Sequence, residues 1–475
     1  MKKLFVFIAI ISLISCQGIL DKDPLGTLDA GSFFQTANDA EQAINAAYQP
    51  LLFSSGNNNF YWAFGQIASD EAVTGGDGSR TGLTELDAFT HTPRTEEFGS
   101  FWALNYRGIA QCNLVLDKLP AVQMDATQKA RIEGEAYFLR AYYYFLLTQV
   151  FGDVVLYTKV TPPDELKVPK TARAEIYNQI VADCDAAAER LPLSHSSTNV
   201  GRATRGAAYA LAAKTYLYSK NWEKVLEYVG KVKNLGIYGL MADYQDNFRE
   251  NTQNNQESVW EIQHSNLELG VGNSLNQWWL SKKVVDGYGF AEVTQQYYDS
   301  FDPTDPRRSF TIASNNQDYF GVVYKNSFSS TRFSPRKYLQ AASEVTQKAD
   351  GDINYGAIRY AEVLLWEAEA AAELGRPADA LAALEQVRAR ARAQASNPAT
   401  ALPPVTTTVQ QELIEAVRRE RQFELGFECH RFFDLVRWGI AKDRLPEFQV
   451  GKNEVFPIPQ SEIDLNPQLR QNAGY

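Results

Sequence analysis

Apolar residues at helical spacing constrain the fold of this chain more than any other feature. They recur from Asp39 to Leu52 and again from Phe101 to Leu119. A third helix is predicted to begin after Asp125, which can cap it with Gln128 completing a capping box, and to end at Gly152. Further helices are predicted at about 173–190, 203–218, 221–234, 356–374, 377–392 and 409–425. The chain is therefore predicted to be mainly α-helical.

Two pairs of these helices share a spacing of small residues. Ala213 lies twelve residues before Val225, and Ala368 lies twelve residues before Ala380, each time with a short break between the helices. Small residues where two antiparallel helices cross resemble the tetratricopeptide helical hairpin. The pattern predicts a scaffold of the α-solenoid type.

Two segments interrupt the helical pattern. Residues 53–99 are rich in Gly, Asn, Ser and Thr, and residues 236–350 mix short apolar runs with turn residues and many aromatic residues. Loops of this length are usually functional or disordered, and the aromatic content argues against disorder. We predict a helical region over 31–235 with a loop insert at 53–99, an irregular, loop-rich ligand-binding subdomain over 236–350, and a second helical region over 351–475.

The beginning of the chain has the layout of a secretory signal. Lys2 and Lys3 precede an apolar run from Leu4 to Ile14 that is too short to span a bilayer. The sequence that ends in Cys16 resembles a bacterial lipoprotein signal, which predicts a signal peptide over 1–15, a lipid on Cys16 and a tether over 16–30. Buried acyl chains contribute about 0.8 kcal/mol per methylene group to such an anchor. The alternative is an ordinary signal peptide with a chance cysteine at its end.

Charge and cysteine content exclude several classes of protein. The formal net charge is −11, and removing the signal takes away two lysines and no acid, which gives −13. An acidic surface argues against nucleic acid as a partner. Cys112, Cys184 and Cys429 are widely spaced and odd in number, so we predict three buried thiols and no disulfide framework.

The sequence offers little support for catalysis. The four histidines, at 91, 195, 264 and 430, are isolated and lack metal-ligand spacing, and no Gly-x-Ser-x-Gly or phosphate-binding glycine motif occurs. Near the C-terminus, Glu424, Glu428 and Asp434 could act as acid and base, but they interleave with arginines and large apolar residues. A structural network of ion pairs is the favoured interpretation. We predict a protein that is not an enzyme and that needs no cofactor or metal.

Short motifs follow one another along the whole chain. They are Leu20-Asp21-Lys22-Asp23-Pro24, Ala43 to Tyr48, Arg131 to Tyr142, Phe151 to Val155, Phe301 to Arg308, Glu420 to Gly439, Val455 to Pro459 and Asn466 to Tyr475. In this order they resemble the SusD/RagB family of outer-membrane lipoproteins. One departure is Cys429, where the family usually has glycine, and this bears on local backbone geometry.

The resemblance implies a helical, tetratricopeptide-based protein anchored on the outer membrane at the cell surface. It also implies a partner, a SusC-like TonB-dependent transporter, on which the protein acts as a lid and delivers oligosaccharides or sometimes peptides. Two alternatives from other classes stay open: a surface glycoside hydrolase, and a scaffold lipoprotein that binds only other proteins.

Candidate ligand contacts follow from the chemistry of a sugar ring, which has an apolar C–H face and a rim of hydroxyl groups. A flat aromatic surface flanked by amides, carboxylates or guanidinium groups suits such a ligand. Candidates in the second irregular segment are Asn276, Gln277, Trp278, Trp279, Tyr288, Tyr319 and Tyr324; those in the first are Tyr61, Trp62, Asp70, Asp77 and Arg80. The competing interpretation of each ring is that it fills the core. If the tryptophan pair binds sugar, replacing Trp278 and Trp279 by alanine should weaken binding without unfolding the protein.

Overall fold

The fold is mainly α-helical, as predicted. The computed structural model describes residues 34–54, 56–57, 59–284 and 287–475, so the predicted signal peptide, Cys16 and most of the tether lie outside the described residues. The longer helices are α1 (Ala37–Tyr48), α3 (Glu96–Lys118), α4 (Ala126–Phe151), α5 (Arg173–Arg190), α6 (Arg205–Tyr218), α7 (Trp222–Lys233), α11 (Tyr360–Glu373), α12 (Pro377–Ala393) and α13 (Gln410–Leu425). The shorter helices are α2 (Thr81–Asp87), α8 (Leu275–Trp279), α9 (Gln295–Ser300), α10 (Pro306–Thr311), α14 (Arg431–Trp438), α15 (Ala441–Arg444) and α16 (Gln460–Leu465). Over these ranges, no helix is both long enough and apolar enough to cross a membrane.

Helix α4 lies between α3 and α5 and is buried on all sides along its second half. It begins as predicted, because the Asp125 carboxylate accepts a hydrogen bond from the Gln128 backbone N–H at 2.9 Å. It ends at Gly152, whose φ of 73° only glycine adopts easily. The predicted capping box does not form, because the Gln128 side chain donates instead to Glu41, on α1.

The two predicted helical hairpins are present. Helices α6 and α7 pack against each other across a three-residue turn, and so do α11 and α12. Ala213, Val225, Ala368 and Ala380 are all fully buried at these helix contacts. Because α7 also packs against α11, the hairpins join into one scaffold.

The strands are short and pair two by two. They are β1 (Ala72–Thr74), β2 (Ser258–Ile262), β3 (Ala291–Val293), β4 (Ile312–Ala313), β5 (Asp318–Tyr319), β6 (Val322–Val323), β7 (Ser334–Pro335) and β8 (Tyr355–Arg359). The antiparallel pairs are β1–β3, β2–β8, β4–β7 and β5–β6. One prediction was wrong here: a helix was expected from about residue 356, but β8 occupies 355–359 and α11 begins at Tyr360. Pairing with β2 supplies the backbone hydrogen bonds of this buried segment.

The charged passage near the C-terminus is a buried network of ion pairs. Arg359 contacts Glu257, Glu424 and Glu428, while Asp434 accepts hydrogen bonds from Arg421 at 2.7 Å and from Arg437 at 2.8 Å. All of these side chains are buried, so the structural interpretation is confirmed.

The three cysteines of the described chain are also buried and unbridged, as predicted. Cys429 follows the network residue Glu428 and has a φ of 67°, in the left-handed region that favours glycine. This agrees with the glycine that the SusD/RagB resemblance leads one to expect there.

Candidate functional site

Segments that are distant in the sequence meet on one irregular surface, which we call the loop face. It consists of residues 75–80, 266–270, 282–284, 287–290 and 341–352. Strand β1 pairs with β3 from Ala72 opposite Val293 to Thr74 opposite Ala291, and the Gly75 N–H continues the ladder to the Phe290 carbonyl oxygen at 3.0 Å. A side chain at Gly75 would meet the Gly289 carbonyl oxygen at 2.3 Å, so only glycine allows this approach. The pairing places the 75–80 turn beside 287–290.

Polar contacts hold the remaining loops of this surface together. Lys282 donates to the Asp77 carboxylate at 2.8 Å, which joins the first irregular segment to the second. The buried Asp350 carboxylate accepts the backbone N–H groups of Glu268 at 2.7 Å and Gly272 at 3.0 Å. The loop face is therefore a set of loops cross-linked by hydrogen bonds.

Tyr288 is the predicted aromatic residue that this surface presents to solvent. Its ring is half-buried, lies 5.1 Å from the Phe290 ring between centroids, and has the Lys348 ammonium 4.7 Å from its centroid. Its backbone N–H donates to the Gln277 carbonyl oxygen at 2.8 Å, which fixes the residue to the end of α8. A partly exposed ring on a fixed backbone can receive the apolar face of a sugar.

Polar groups from the first irregular segment lie on the same surface. The Arg80 guanidinium lies 5.6 Å from the centroid of the buried Phe60 ring, and Arg80 is half-buried. Asp77 is exposed, and its hydrogen bond from Lys282 holds the pKa of this carboxyl well below its usual range. The carboxylate and guanidinium provide an acceptor and donors for hydroxyl groups at neutral pH.

The tryptophan candidates lie in the core and not on the surface. Trp278 is 6% exposed, Trp279 is 0% exposed and Trp62 is 1% exposed. The Trp62 ring lies 5.6 Å from the Trp278 ring and 6.1 Å from the Trp279 ring, so the two irregular segments bury each other's indoles. The expectation of an exposed tryptophan platform is corrected: these rings support the loop face from behind and have no free face for a sugar.

Other candidates are also engaged inside the protein. The Tyr61 hydroxyl donates to Gln149, the Tyr319 hydroxyl accepts from the Ser281 N–H, and the Tyr324 hydroxyl bonds Ser334. Asn276 accepts from the Gln340 N–H, Gln277 is buried beside it, and Asp70 forms a two-point ion pair with Arg431 at 2.6 and 2.8 Å. Each is a structural contact, because its polar group is already paired or enclosed within the fold.

Sequence reasoning missed Lys282, Lys348 and Phe290 as members of the loop face. Lone lysines in a polar loop carry no pattern, and Phe290 looks like any core ring. Only the β1–β3 register identifies Phe290 as the neighbour of the 75–80 turn.

Glu71 is a buried acid next to the start of β1. Burial raises its pKa to about 7, against the opposing attraction of Arg431 and with added repulsion from Asp70. Its carboxylate accepts hydrogen bonds from the Gln66 side chain at 3.0 Å and the Phe427 N–H at 3.3 Å. The protonation state of Glu71 therefore affects the hydrogen bond to Phe427, which joins the start of β1 to the C-terminal region.

We expect this group to make stability depend on pH. A carboxyl whose pKa rises from 4.5 to about 7 on folding contributes stability that is fully present below pH 4.5 and is lost as the pH rises through 7. The loss amounts to roughly 3 kcal/mol in the free energy of unfolding. The free energy of unfolding, measured with urea at several pH values, should no longer fall between pH 5 and 8 in Glu71→Gln. It should still fall in the control Glu223→Gln, whose substitution is at an exposed site on α7. Equal pH slopes in both variants would contradict the assignment.

Two other hollows are lined by residues outside the loop face. A trough of about 660 Å³ lies between α3, residues 155–167 and α16, but the hydroxyls of Tyr106 and Tyr157 donate to backbone carbonyl oxygens of Val155 and Leu166. A hollow of about 570 Å³ beside α13 and α14 contains Trp438, whose ring has the guanidinium groups of Arg418 and Arg437 within 5.2 Å.

Comparisons with known proteins agree with one another along the chain. The family model described as "SusD family" matches residues 238–454, and the model described as "Starch-binding associating with outer membrane" matches residues 30–217. A SusD-like protein of Formosa agariphila is 26% identical, with 99% of this chain and 98% of that protein aligned. A solved structure titled "Laminarin binding SusD-like protein" is 29% identical, with 93% of this chain and 100% of that chain covered and a TM-score of 0.80. Surface glycan-binding protein A from Bacteroides fluxus is 26% identical over the same coverage, also with a TM-score of 0.80.

Proposed function

The chain belongs to the SusD/RagB family, and we propose on that basis that it is a cell-surface glycan-binding lipoprotein that captures oligosaccharides and delivers them to a SusC-like TonB-dependent transporter. It acts by binding and release, without catalysis. The solved relative titled as laminarin-binding supports the choice of a glycan over a peptide as the cargo.

The partly exposed Tyr288 side chain on the loop face is the observation that carries this proposal. The ring receives the C–H face of a sugar once the flexible Lys348 side chain moves aside, and Asp77, Lys282 and Arg80 are polar groups of the same surface. Carboxylate oxygens accept hydrogen bonds from sugar hydroxyls, and the cationic groups donate to sugar oxygens. The buried tryptophans behind the loops keep this arrangement rigid, so little conformational entropy is lost on binding.

Capture must be followed by release, so a single site has to be weak. Dissociation constants of micromolar to millimolar, or about −8 to −4 kcal/mol, fit this requirement. A lipid on Cys16 holds the protein beside the transporter, and the resulting high effective concentration compensates for weak binding. In this arrangement the protein is the lid of the transporter and commits bound glycan to the pore.

Replacing Tyr288 by alanine is expected to weaken glycan binding roughly tenfold, because an aromatic contact of about 1.4 kcal/mol is lost. Isothermal titration calorimetry of the purified protein with laminarin measures the effect. Tyr209→Ala removes a half-buried tyrosine from α6 and serves as the control.

The same titration separates the alternatives. A wild type that binds none of a panel of neutral glycans contradicts the proposal, and so does equal binding by Tyr288→Ala and Tyr209→Ala. Shortening of the polysaccharide during incubation with the protein would identify a glycoside hydrolase instead.

A further inference from the structure

A groove lies along β2, and Tyr288 is not among the residues that line it. It consists of two hollows of about 260 and 210 Å³ that share Val200, Gly201, Arg202, Trp260 and Glu261 in their walls. One wall is the connection between α5 and α6, and the other is β2 with the residues on either side of it. We call it the β2 groove.

The groove is rich in side-chain amides. They are Asn45, Asn254, Asn255, Gln256 and Gln263. Asn254 and Gln263 donate to each other at 2.9 and 3.0 Å, which holds two amides in fixed orientation at the end of β2. Asn255 donates to the Asp246 carbonyl oxygen at 3.2 Å and Gln256 donates to the Leu240 carbonyl oxygen at 2.8 Å, so a sugar hydroxyl can use only the amide groups that such bonds leave free.

Aromatic rings complete the lining. The rings of Tyr48 and Tyr238 are half-buried, and Tyr238 is braced by the Tyr360 ring, 6.2 Å away between centroids. Trp260 is 3% exposed and packs edge-on against Phe138, 4.7 Å away between centroids, so it supports the groove from behind.

The ionisable side chains of the groove already make hydrogen bonds within the protein. Arg202 donates to Glu135 at 2.8 Å and to Asn45 at 2.6 Å. Glu261 accepts from the Asn254 N–H at 3.1 Å and from the Asn354 side chain at 2.9 Å. His195 contacts the Ala203 carbonyl oxygen at 2.8 Å. The groove therefore favours a neutral ligand over an anionic one, since the Arg202 guanidinium is already paired with the Glu135 carboxylate.

We propose that the β2 groove is a second saccharide-binding subsite that takes neutral sugar units of the same glycan chain. The proposal rests on the proposed function, because it requires that the protein binds glycan at all. Amides, aromatic rings and ionisable groups that are already hydrogen-bonded within the fold are together the chemistry that recognises an uncharged polyol. Two subsites on one rigid body raise the affinity for a long chain well above the affinity for a short one.

Filling the groove tests the proposal. Val200 is 44% exposed and borders both hollows, so Val200→Trp blocks the groove without removing a core residue. We expect its affinity for polymeric laminarin, measured by calorimetry, to fall at least tenfold, while Val450→Trp at a site that is 75% exposed leaves the affinity unchanged. Tyr238→Ala removes a ring from the groove and should reproduce the loss, which guards against an artefact of the bulky substitution; thermal melting confirms that each variant is folded.

The outcomes distinguish this proposal from the function on which it rests. If laminarin binding is weakened in Tyr288→Ala but unchanged in Val200→Trp and Tyr238→Ala, the second subsite is overturned and the proposed function stays intact. A wild type that binds no neutral glycan overturns both. Equal affinity of the wild type for polymeric laminarin and for its disaccharide also overturns the second subsite.

Discussion

Replacing Glu424 by glutamine is expected to lower the free energy of unfolding by about 3–5 kcal/mol, because it removes the central anion of a buried ion-pair network. For a chain of 475 residues this corresponds to a decrease of roughly 3–5 °C in Tm. Urea unfolding followed by circular dichroism measures the change directly.

The size of this effect follows from what surrounds the carboxylate. Glu424 is 0% exposed, and its two oxygens lie 2.5 Å from an Arg390 nitrogen, 3.1 Å from Arg307 and 3.2 Å from Arg359. A neutral amide no longer compensates the positive charge of these three buried guanidinium groups. Its NH₂ group also places N–H donors next to the N–H donors of the arginines. Removing one partner of such a network costs more than the network contributes as a whole.

At low pH, the difference in unfolding free energy between the wild type and Glu424→Gln should become smaller. Burial alone would raise the pKa of Glu424, but the neighbouring arginines hold it well below the usual range of a carboxyl. The stability that depends on this depressed pKa is present above the unfolded value of 4.5 and is lost as the pH falls toward the folded value. Glu415→Gln, at an exposed position of the same helix, is the control and should unfold like the wild type. An unfolding free energy of Glu424→Gln within 1 kcal/mol of the wild type would show that the network is dispensable.

The helices could be predicted from the sequence because their signal is local. Apolar periodicity and the cap at Asp125 predicted α4 to within a residue or two of its ends, and the spacing of Ala213 to Val225 predicted the hairpin of α6 and α7. Strand β8 could not be predicted in this way. Its residues 355–359 are buried like the helix that follows, and only pairing with β2, almost a hundred residues earlier, makes them a strand.

The candidate site was harder to predict because composition does not separate a surface ring from a core ring. Asn276 to Trp279 has the residue types of a sugar platform, yet the first irregular segment covers it with Trp62. Tyr288 lies nine residues after Trp279 and stays partly exposed, and the turn at 75–80 passes beside its backbone. The surroundings of Tyr288 depend on contacts such as the hydrogen bond between Lys282 and Asp77, two residues that are 205 positions apart in the sequence.

Trp279→Ala is the second substitution with a large expected effect, and it should destabilise the protein by about 3–5 kcal/mol. The indole is fully buried between Trp62, Tyr338 and Phe427, with ring centroids 5.8 to 6.4 Å away, so its removal leaves a cavity at the junction of three segments. Glycan affinity should change little once the variant is folded, since Tyr288 and not Trp279 faces solvent. Urea unfolding and calorimetry with laminarin, run on the same preparation, measure both quantities.

Trp222→Ala provides the matched comparison, because this tryptophan is half-buried at the beginning of α7 and its loss should cost about 1 kcal/mol or less. The opposite pattern for Trp279→Ala, with normal stability and lost glycan binding, would mean that the indole reaches the ligand. The loop face would then have to open for binding, and the enclosed Trp62–Trp278–Trp279 cluster would be the closed state of the site. Stability and affinity measured together therefore decide whether these tryptophans support the site or form it.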